Sequence, residues 1–160
     1  MKLTTRARYA LRMMLELARH EPNVAVSLGD VAKRTDISRR YLDQLAVAMK
    51  TAGLLVSRSG RGGGYALSRP AAEIHLGVII EAAIGPINIV DCVLKPEGCL
   101  KADLCECRSI YAVINRRIAQ VFAAFSLADV TDPAVLARLT AELEPGPSVH
   151  AGSSVPADPQ

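Results

Sequence analysis

Residues 27–67 read SLGDVAKRTDISRRYLDQLAVAMKTAGLLVSRSGRGGGYAL, and this stretch contains the clearest structural signals in the chain. Ser27 and Ser38 each stand where a helix N-cap is expected, and an apolar stripe follows each serine. Only residues 35–37 separate the two short helices. Two short helices joined in this way, the second of them amphipathic, are typical of a helix-turn-helix, which we place at about residues 28–52.

A glycine-rich hairpin follows these helices. Residues 54–56 (Leu-Leu-Val) and 65–67 (Tyr-Ala-Leu) favour strands, and the glycines between positions 60 and 64 exclude a helix at the tip. A helix-turn-helix followed by such a hairpin is a winged helix. We therefore expect a wing at residues 54–67.

The remaining segments are predicted to be helices around one loop. Apolar periodicity predicts helices at about 5–19, 75–84, 108–127 and 133–143. The helix at 108–127 has the widest apolar face, and we interpret it as a dimerisation helix; packing within its own domain is the alternative. That face comprises Ile110, Val113, Ile114, Ile118, Val121, Phe122 and Phe125. The expected fold is mainly α with a small β-hairpin wing: a winged helix-turn-helix DNA-binding domain at 1–74, a cysteine loop with dimerisation helices at 75–144, and a disordered tail at 145–160.

Composition and charge limit the classes of protein. Of the 160 residues, 50% are apolar and 22% are charged, so the chain is globular rather than disordered. No apolar run approaches the roughly 18 residues of a membrane span, and the N-terminus has no cleavable apolar block, so we expect a cytoplasmic protein with no membrane partner. Residues 1–74 contain 13 Lys/Arg and 6 Asp/Glu, whereas residues 75–160 contain 6 and 10. The basic first half suggests a polyanionic partner, although a solvated basic face is the alternative.

The helix after Ser38 has the residue types of a DNA reader. Arg39 and Arg40 lie in its first turn, where two cations oppose the helix dipole unless phosphates or guanine edges offset them. Gln44, one turn further, is suited to adenine, and Asp43 to a cytosine amino group. The basic, glycine-rich wing suits insertion into a narrow minor groove. We therefore expect the DNA contacts to come from Ser38, Arg39, Arg40, Tyr41, Asp43 and Gln44 of the helix and from Arg58, Ser59, Arg61, Gly62 and Gly63 of the wing; ordinary surface charge is the alternative.

All four cysteines, Cys92, Cys99, Cys105 and Cys107, lie within sixteen residues. Disulfides are disfavoured in the cytosol, so clustered thiols there indicate metal ligands. Zinc sites usually begin with two cysteines separated by two to four residues, which this segment lacks. The wider spacing favours an iron–sulfur cluster, 2Fe-2S or 4Fe-4S, on these thiolates. Zinc and buried free thiols are the alternatives.

In these features the chain resembles the Rrf-two family of winged-helix iron–sulfur regulators, of the IscR, NsrR and RirA types. The likeness covers about residues 1–131. It rests on Leu3-Thr4, Tyr9-Ala10-Leu11, Ser38, Tyr41-Leu42, Gln44-Leu45, Gly53-Leu54, Gly60, Gly62-Gly63-Gly64-Tyr65 and the three cysteines Cys92, Cys99 and Cys105. The resemblance implies a homodimeric bacterial transcription regulator that binds a pseudo-palindromic operator in double-stranded DNA and whose cluster reports on iron, oxygen, nitric oxide or redox state.

The chain departs from that family's pattern at three points. Relatives often supply a fourth ligand as a histidine soon after the third cysteine, or as an acidic residue in the first helix, where this chain has Arg108 and Arg8. Cys107 is the obvious substitute, so we expect all-cysteine ligation. Ser59 precedes the wing glycine where arginine is common, so we expect the wing contacts to be re-aimed. Asp43 stands where glutamate is common, so we do not expect the operator sequence of relatives to carry over.

Other classes of function compete with this interpretation. A cluster-carrying redox or transfer protein would leave the arginines of the third helix and the wing unexplained. A zinc- or thiol-based regulator would use the same cysteines without a cluster. An enzyme acting on a small-molecule substrate is not expected, because the sequence has no Ser/His/Asp set, no metal-binding histidine pair and no dinucleotide fingerprint, and because His20, His75 and His150 stand alone.

Overall fold

The computed structural model describes residues 3–60, 62–99 and 104–143. Within these ranges the chain forms α1 (Thr5–Ala18), α2 (Leu28–Thr35), α3 (Arg39–Thr51), β1 (Leu55–Arg58), β2 (Gly64–Leu67), α4 (Leu76–Ile84), α5 (Asp91–Leu94), α6 (Glu106–Ala124), α7 (Leu127–Thr131) and α8 (Pro133–Leu143), with short 3-10 turns at Ala71–Glu73 and Pro96–Gly98. None of the helices in these ranges combines the length and the apolarity that a membrane crossing needs. The tail predicted to be disordered at 145–160, which includes His150, lies outside the described residues.

The helix-turn-helix predicted at about residues 28–52 is present as α2 and α3. Ser27 Oγ accepts a hydrogen bond from the Asp30 N–H at 3.1 Å, and Ser38 Oγ accepts one from the Tyr41 N–H at 3.4 Å, so both serine caps are confirmed. Asp36 ends α2 in the left-handed conformation, with φ at 55°. Aspartate tolerates this conformation, which turns the chain sharply enough for α3 to begin three residues later.

The predicted wing is present as the antiparallel hairpin of β1 and β2, in which Leu55 lies opposite Leu67. A further extended residue attaches the hairpin to the body: Val26, just before α2, exchanges two 2.9 Å backbone hydrogen bonds with Tyr65 of β2. Gly64 permits this approach, because a Cβ at that position would collide with the Val26 carbonyl group. The chain therefore has the predicted fold class, mainly α with a β-hairpin wing.

One hydrophobic core joins the winged helix to two later helices. Met13 of α1 is fully buried, and α1 contacts α2, α3, α4 and α7. Ile79 of α4 and Leu127 of α7 belong to the same buried cluster as Leu45 of α3. The core thus continues past residue 74, where we placed the end of the DNA-binding domain, and α4 and α7 pack as part of the winged-helix body.

The helix predicted at 108–127 begins two residues earlier than expected and ends three residues earlier. Phe125 is extended, and its carbonyl group accepts a hydrogen bond from the Leu76 N–H at 2.9 Å. Ser126 then starts α7 with a capping box: its hydroxyl accepts from the Asp129 N–H at 3.2 Å, and the Asp129 carboxylate accepts from the Ser126 N–H at 2.7 Å. The prediction of one continuous helix is wrong at its C-terminal end because this cap begins a separate helix.

A buried carboxylate joins α1 to α2. The side chain of Glu16 is only 4% exposed, and it accepts hydrogen bonds from Arg34 of α2 at 2.9 Å and from Arg19 at 3.1 Å. His20 lies beside it, with Nε2 3.5 Å from the carboxylate. Burial acts to raise the pKa of Glu16, but the hydrogen bonds and charges of Arg34 and Arg19 outweigh it, so the pKa lies below its usual value.

We expect Glu16→Gln to lower the free energy of unfolding at pH 7 by about 1–2 kcal/mol, because charge-assisted hydrogen bonds between the two helices are lost. Since the folded-state pKa is depressed, this stabilisation is present above the unfolded-state pKa of about 4.3 and is lost as the pH falls through the folded-state value. The difference in the free energy of unfolding between variant and parent should therefore shrink below pH 4. Urea denaturation across this range measures it, with the exposed Glu21→Gln as control; equal stability at pH 7 would contradict the assignment.

Candidate DNA interface and cysteine segment

The exposed face of α3 carries four of the residues predicted to contact DNA. Arg39, Arg40, Asp43 and Gln44 are all exposed, whereas Leu42 between them is fully buried. Residues three and four apart share a helix face, so Arg40, Asp43 and Gln44 form one continuous surface. The local sequence produces this arrangement because the buried positions follow the helical period and leave the polar positions outside.

The two arginines stand at the positive end of the α3 dipole. A cation costs about 0.3–1 kcal/mol in such a position. In the part of the chain that the structure describes, neither Arg39 nor Arg40 forms an ion pair that would offset this cost. An anion such as a DNA phosphate would offset it.

Ser38 and Tyr41 hold α3 in place. The Ser38 hydroxyl caps the helix, as described above. Tyr41 is half-buried, and its ring meets that of Tyr9 on α1 edge to face, with the centroids 5.6 Å apart and the planes at 85°. These two predicted contact residues therefore also have a structural role, which is to fix the first turn of α3 against α1.

The residues of the wing that were predicted to contact DNA differ in their exposure to solvent. Arg58 and Ser59 are exposed at the end of β1, and Gly63 is half-buried. Gly62 has φ at 79°, a conformation that favours glycine, so the tip is tightly turned. Arg61 lies outside the described residues.

Sequence reasoning missed two residues of this surface. Lys50, near the end of α3, donates a 3.0 Å hydrogen bond from Nζ to the Ser57 hydroxyl of β1, which links the helix to the wing. Val47 is 64% exposed and continues the face of Arg40 and Gln44. The sequence alone could have indicated that Val47 is exposed, because it is an apolar residue outside the buried stripe of α3. An exposed apolar side chain at such a position is suited to contact with a thymine methyl group.

The four cysteines lie on short elements around the start of α6. Cys92 is in α5, Cys99 ends the 3-10 turn at Pro96–Gly98, Cys105 is the N-cap of α6, and Cys107 is in the first turn of α6. The first three are half-buried and Cys107 is exposed. The helix dipole favours negative charge at this end of α6, which suits thiolates on Cys105 and Cys107.

The chemistry of the four cysteine thiols fits an iron–sulfur cluster. Four unpaired thiols are the ligands that such clusters use, and Arg108 Nε donates a 3.2 Å hydrogen bond to the Cys92 carbonyl, which brings the Cys92 backbone to the start of α6. Among the described residues, no three His, Cys, Asp or Glu side chains converge closely enough to hold a metal ion. Completing a ligand set therefore requires some movement of the cysteine side chains or of their segment.

Comparison with known proteins agrees with this architecture. Residues 3–133 match the model of the Rrf2 family, described as an iron-dependent transcriptional regulator. The HTH-type transcriptional regulator IscR of Serratia proteamaculans is 35% identical over 132 residues, which are 82% of this chain and 80% of that protein. The relatives are transcriptional regulators and not enzymes, which confirms that prediction.

Two solved structures share the fold over most of their length. CymR, the global cysteine regulator of B. subtilis, superposes with a TM-score of 0.68 at 32% identity and covers 81% of this chain and 95% of its own. IscR of T. potens superposes with a TM-score of 0.65 at 29% identity, and the match covers 91% of this chain and 94% of that one. The winged helix, the exposed α3 surface and these matches together show that the chain belongs to the Rrf2 family of transcriptional regulators.

Proposed function

We propose that this chain is a cytoplasmic, homodimeric transcription regulator whose DNA affinity is controlled by an iron–sulfur cluster on Cys92, Cys99, Cys105 and Cys107. The observation that carries the DNA-binding part is the exposed polar face of α3, with two arginines at its N-terminus that have no ion-pair partner among the described residues. The cysteine set supports the cluster, and the iron dependence in the description of the family supports it further.

In this proposal α3 enters the major groove by its N-terminal half. Arg39 and Arg40 bind phosphates or guanine edges, Gln44 binds adenine, and Asp43 accepts from a cytosine amino group. Val47 contacts a thymine methyl group. Arg58 and the wing tip lie along the adjacent minor groove, where the Lys50–Ser57 hydrogen bond keeps the wing at a fixed position relative to α3.

The outer face of α6 supports dimerisation. Ile110, Val113, Ile114 and Val121 are between 42% and 62% exposed, although the sequence places them on a wide apolar face. An apolar groove of about 490 Å³ adjoins this face, lined by Ile80, Ile84, Ile87, Ile118, Val121 and Phe122 among others. Contiguous apolar surface of this kind marks an interface. A two-fold dimer would place two copies of α3 about 34 Å apart, which is one turn of DNA and matches a pseudo-palindromic operator.

A bound cluster would supply a centre that responds to iron and to oxidants. The residues of this chain would hold it with two thiolates from the start of α6, one from α5 and one from the 3-10 turn between them. A thiol-based regulator is the second candidate, because Cys107 is exposed and because one structural relative is a cysteine regulator. Iron and sulfide content separates the two candidates.

For DNA recognition, we expect Arg40→Ala to weaken binding to a duplex selected from a random library by roughly 10- to 100-fold, because a base or phosphate contact is worth about 1–3 kcal/mol. Arg138→Ala, an exposed arginine on α8, is the matched control and should bind normally. Fluorescence anisotropy at fixed salt measures both. Equal affinity of the two variants would contradict the placement of α3 in the groove.

For the dimer, we expect the parent chain to sediment at about twice 17.1 kDa and Ile114→Asp to sediment as a monomer, because a charge on the outer face of α6 cannot be buried between two copies. The control is Arg138→Asp, a charge reversal at an exposed position of α8. Analytical ultracentrifugation gives the masses. A monomeric parent, or a dimer of Ile114→Asp, would contradict the interface.

For the cluster, we expect protein purified without oxygen to contain nearly equal iron and acid-labile sulfide, at two or four per chain, with a visible spectrum. Cys92→Ala and Cys107→Ala should each lose most of this iron while keeping the far-ultraviolet circular dichroism of the parent. Full iron in Cys107→Ala would show that this cysteine is not a ligand. Zinc would favour a zinc-based regulator, and folded protein that binds DNA without metal would favour the thiol-based candidate.

A further inference from the structure

Asn115 has an unusual place in α6. It is the one residue among those described in α6 that is buried, at 9% exposure, although it is a polar amide on a helix with many apolar side chains. Its Oδ1 accepts a hydrogen bond from the Ile89 N–H at 3.1 Å, and its Nδ2 donates one to the Ile87 carbonyl at 3.1 Å. A side-chain amide that satisfies both backbone groups in this way acts like the peptide unit of a neighbouring strand.

Arg108 makes a second contact of the same kind. Its Nε donates to the Cys92 carbonyl at 3.2 Å. Arg108 and Asn115 are seven residues apart, so they lie on nearly the same face of α6 and about 10.5 Å apart along its axis. The contacted segment therefore runs antiparallel to α6, from residues 87–89 beside Asn115 to Cys92 beside Arg108.

The intervening residues are held by their own turn. The Val90 N–H donates to Asn88 Oδ1 at 3.2 Å, and Asn88 Nδ2 donates to Asp91 Oδ1 at 3.3 Å. With this turn between the two contacts, the segment from Ile87 to Cys92 has few free torsions left. All of these hydrogen bonds involve protein groups alone, so none of them uses a metal ion as a partner.

We propose that Asn115 and Arg108 are positioning residues, which hold the backbone of residues 87–92 on α6 and so keep the main chain of Cys92 at the start of that helix, independently of a metal. Arg108 is not a plausible metal ligand, and here its side chain contacts the main chain of a cysteine instead. We call the attachment of residues 87–92 to α6 by Asn115 and Arg108 the clamp. The consequence for metal binding rests on the proposed cluster, whereas the clamp itself does not.

Two uncharged variants of Arg108 test the clamp, so their comparison involves no difference in net charge. Arg108→Gln keeps an N–H donor at the same number of bonds from the backbone as Nε, whereas Arg108→Met removes the donor at similar length. In metal-free protein, we expect iodoacetamide to modify Cys92 about fivefold faster in Arg108→Met, the factor expected for a hydrogen bond worth about 1 kcal/mol. Arg108→Gln should stay within about twofold of the parent. Modification of the exposed Cys107 in the same sample is the internal reference.

Asn115→Leu tests the other contact, with the exposed amide variant Gln120→Ala as control. We expect amide exchange of Ile89 and alkylation of Cys92 to be roughly tenfold faster in metal-free Asn115→Leu, and unchanged in Gln120→Ala. If Asn115→Leu does not fold, the Arg108 pair decides alone. Equal rates for Arg108→Met and Arg108→Gln would overturn the proposal.

Metal retention separates this proposal from the proposed function. If the parent holds a cluster, its loss to a chelator, followed in the visible spectrum, should be faster in Arg108→Met and near the parental rate in Arg108→Gln. Equal rates of loss for those two variants would overturn the positioning role. If the parent holds no metal, the proposed cluster fails, and the alkylation ratio of Cys92 to Cys107 still supports or overturns the clamp.

Discussion

Close packing against α1 is the constraint on which the rest of the structure depends. The chain has no tryptophan and only 4% aromatic residues, so large rings do not fill the spaces between helices. Ala7 and Ala10 let neighbouring helices approach α1 closely, and Met13 and Met14, both fully buried, fill the irregular gaps that remain. Because α2, α3, α4 and α7 all contact this one helix, the orientation of the exposed α3 face is tied to the segment that leads towards the cysteines.

Local signals made the helix-turn-helix and the wing predictable. The caps at Ser27 and Ser38 and the glycine tip act within a few residues of themselves, so a sequence shows them directly. The pairing of Val26 with Tyr65 joins residues 39 positions apart and depends on the packing of α1 and α2, which no local pattern encodes. The early end of α6 was locally encoded, since Ser126 and Asp129 have capping-box spacing, but the continuous apolar pattern through Phe125 concealed it.

The candidate site was predictable in its chemistry and less so in its geometry. Residue type and helical period were sufficient to place Arg40, Asp43 and Gln44 on one exposed face. The cysteine spacing indicated thiolate ligands, and apolar periodicity placed the next helix directly after Cys107; the structure begins that helix at Glu106, so Cys107 lies in its first turn. Asn115 was overlooked because a polar residue within an amphipathic helix is normally taken as exposed, and its burial follows only from the backbone that it contacts.

The clamp changes how a signal from the cysteines would reach DNA. An effector alters DNA affinity only if two arrangements of the protein bind DNA differently. If residues 87–92 stay attached to α6 without metal, then loss of a cluster does not release the whole segment between α4 and α6. In that case a rearrangement on cluster loss does not include residues 87–92, and α4, which contacts both α3 and α6, keeps its contact with α6 in either state. In the proposed dimer, the cysteines would then act on DNA binding by shifting two intact winged helices relative to each other rather than by unfolding a segment.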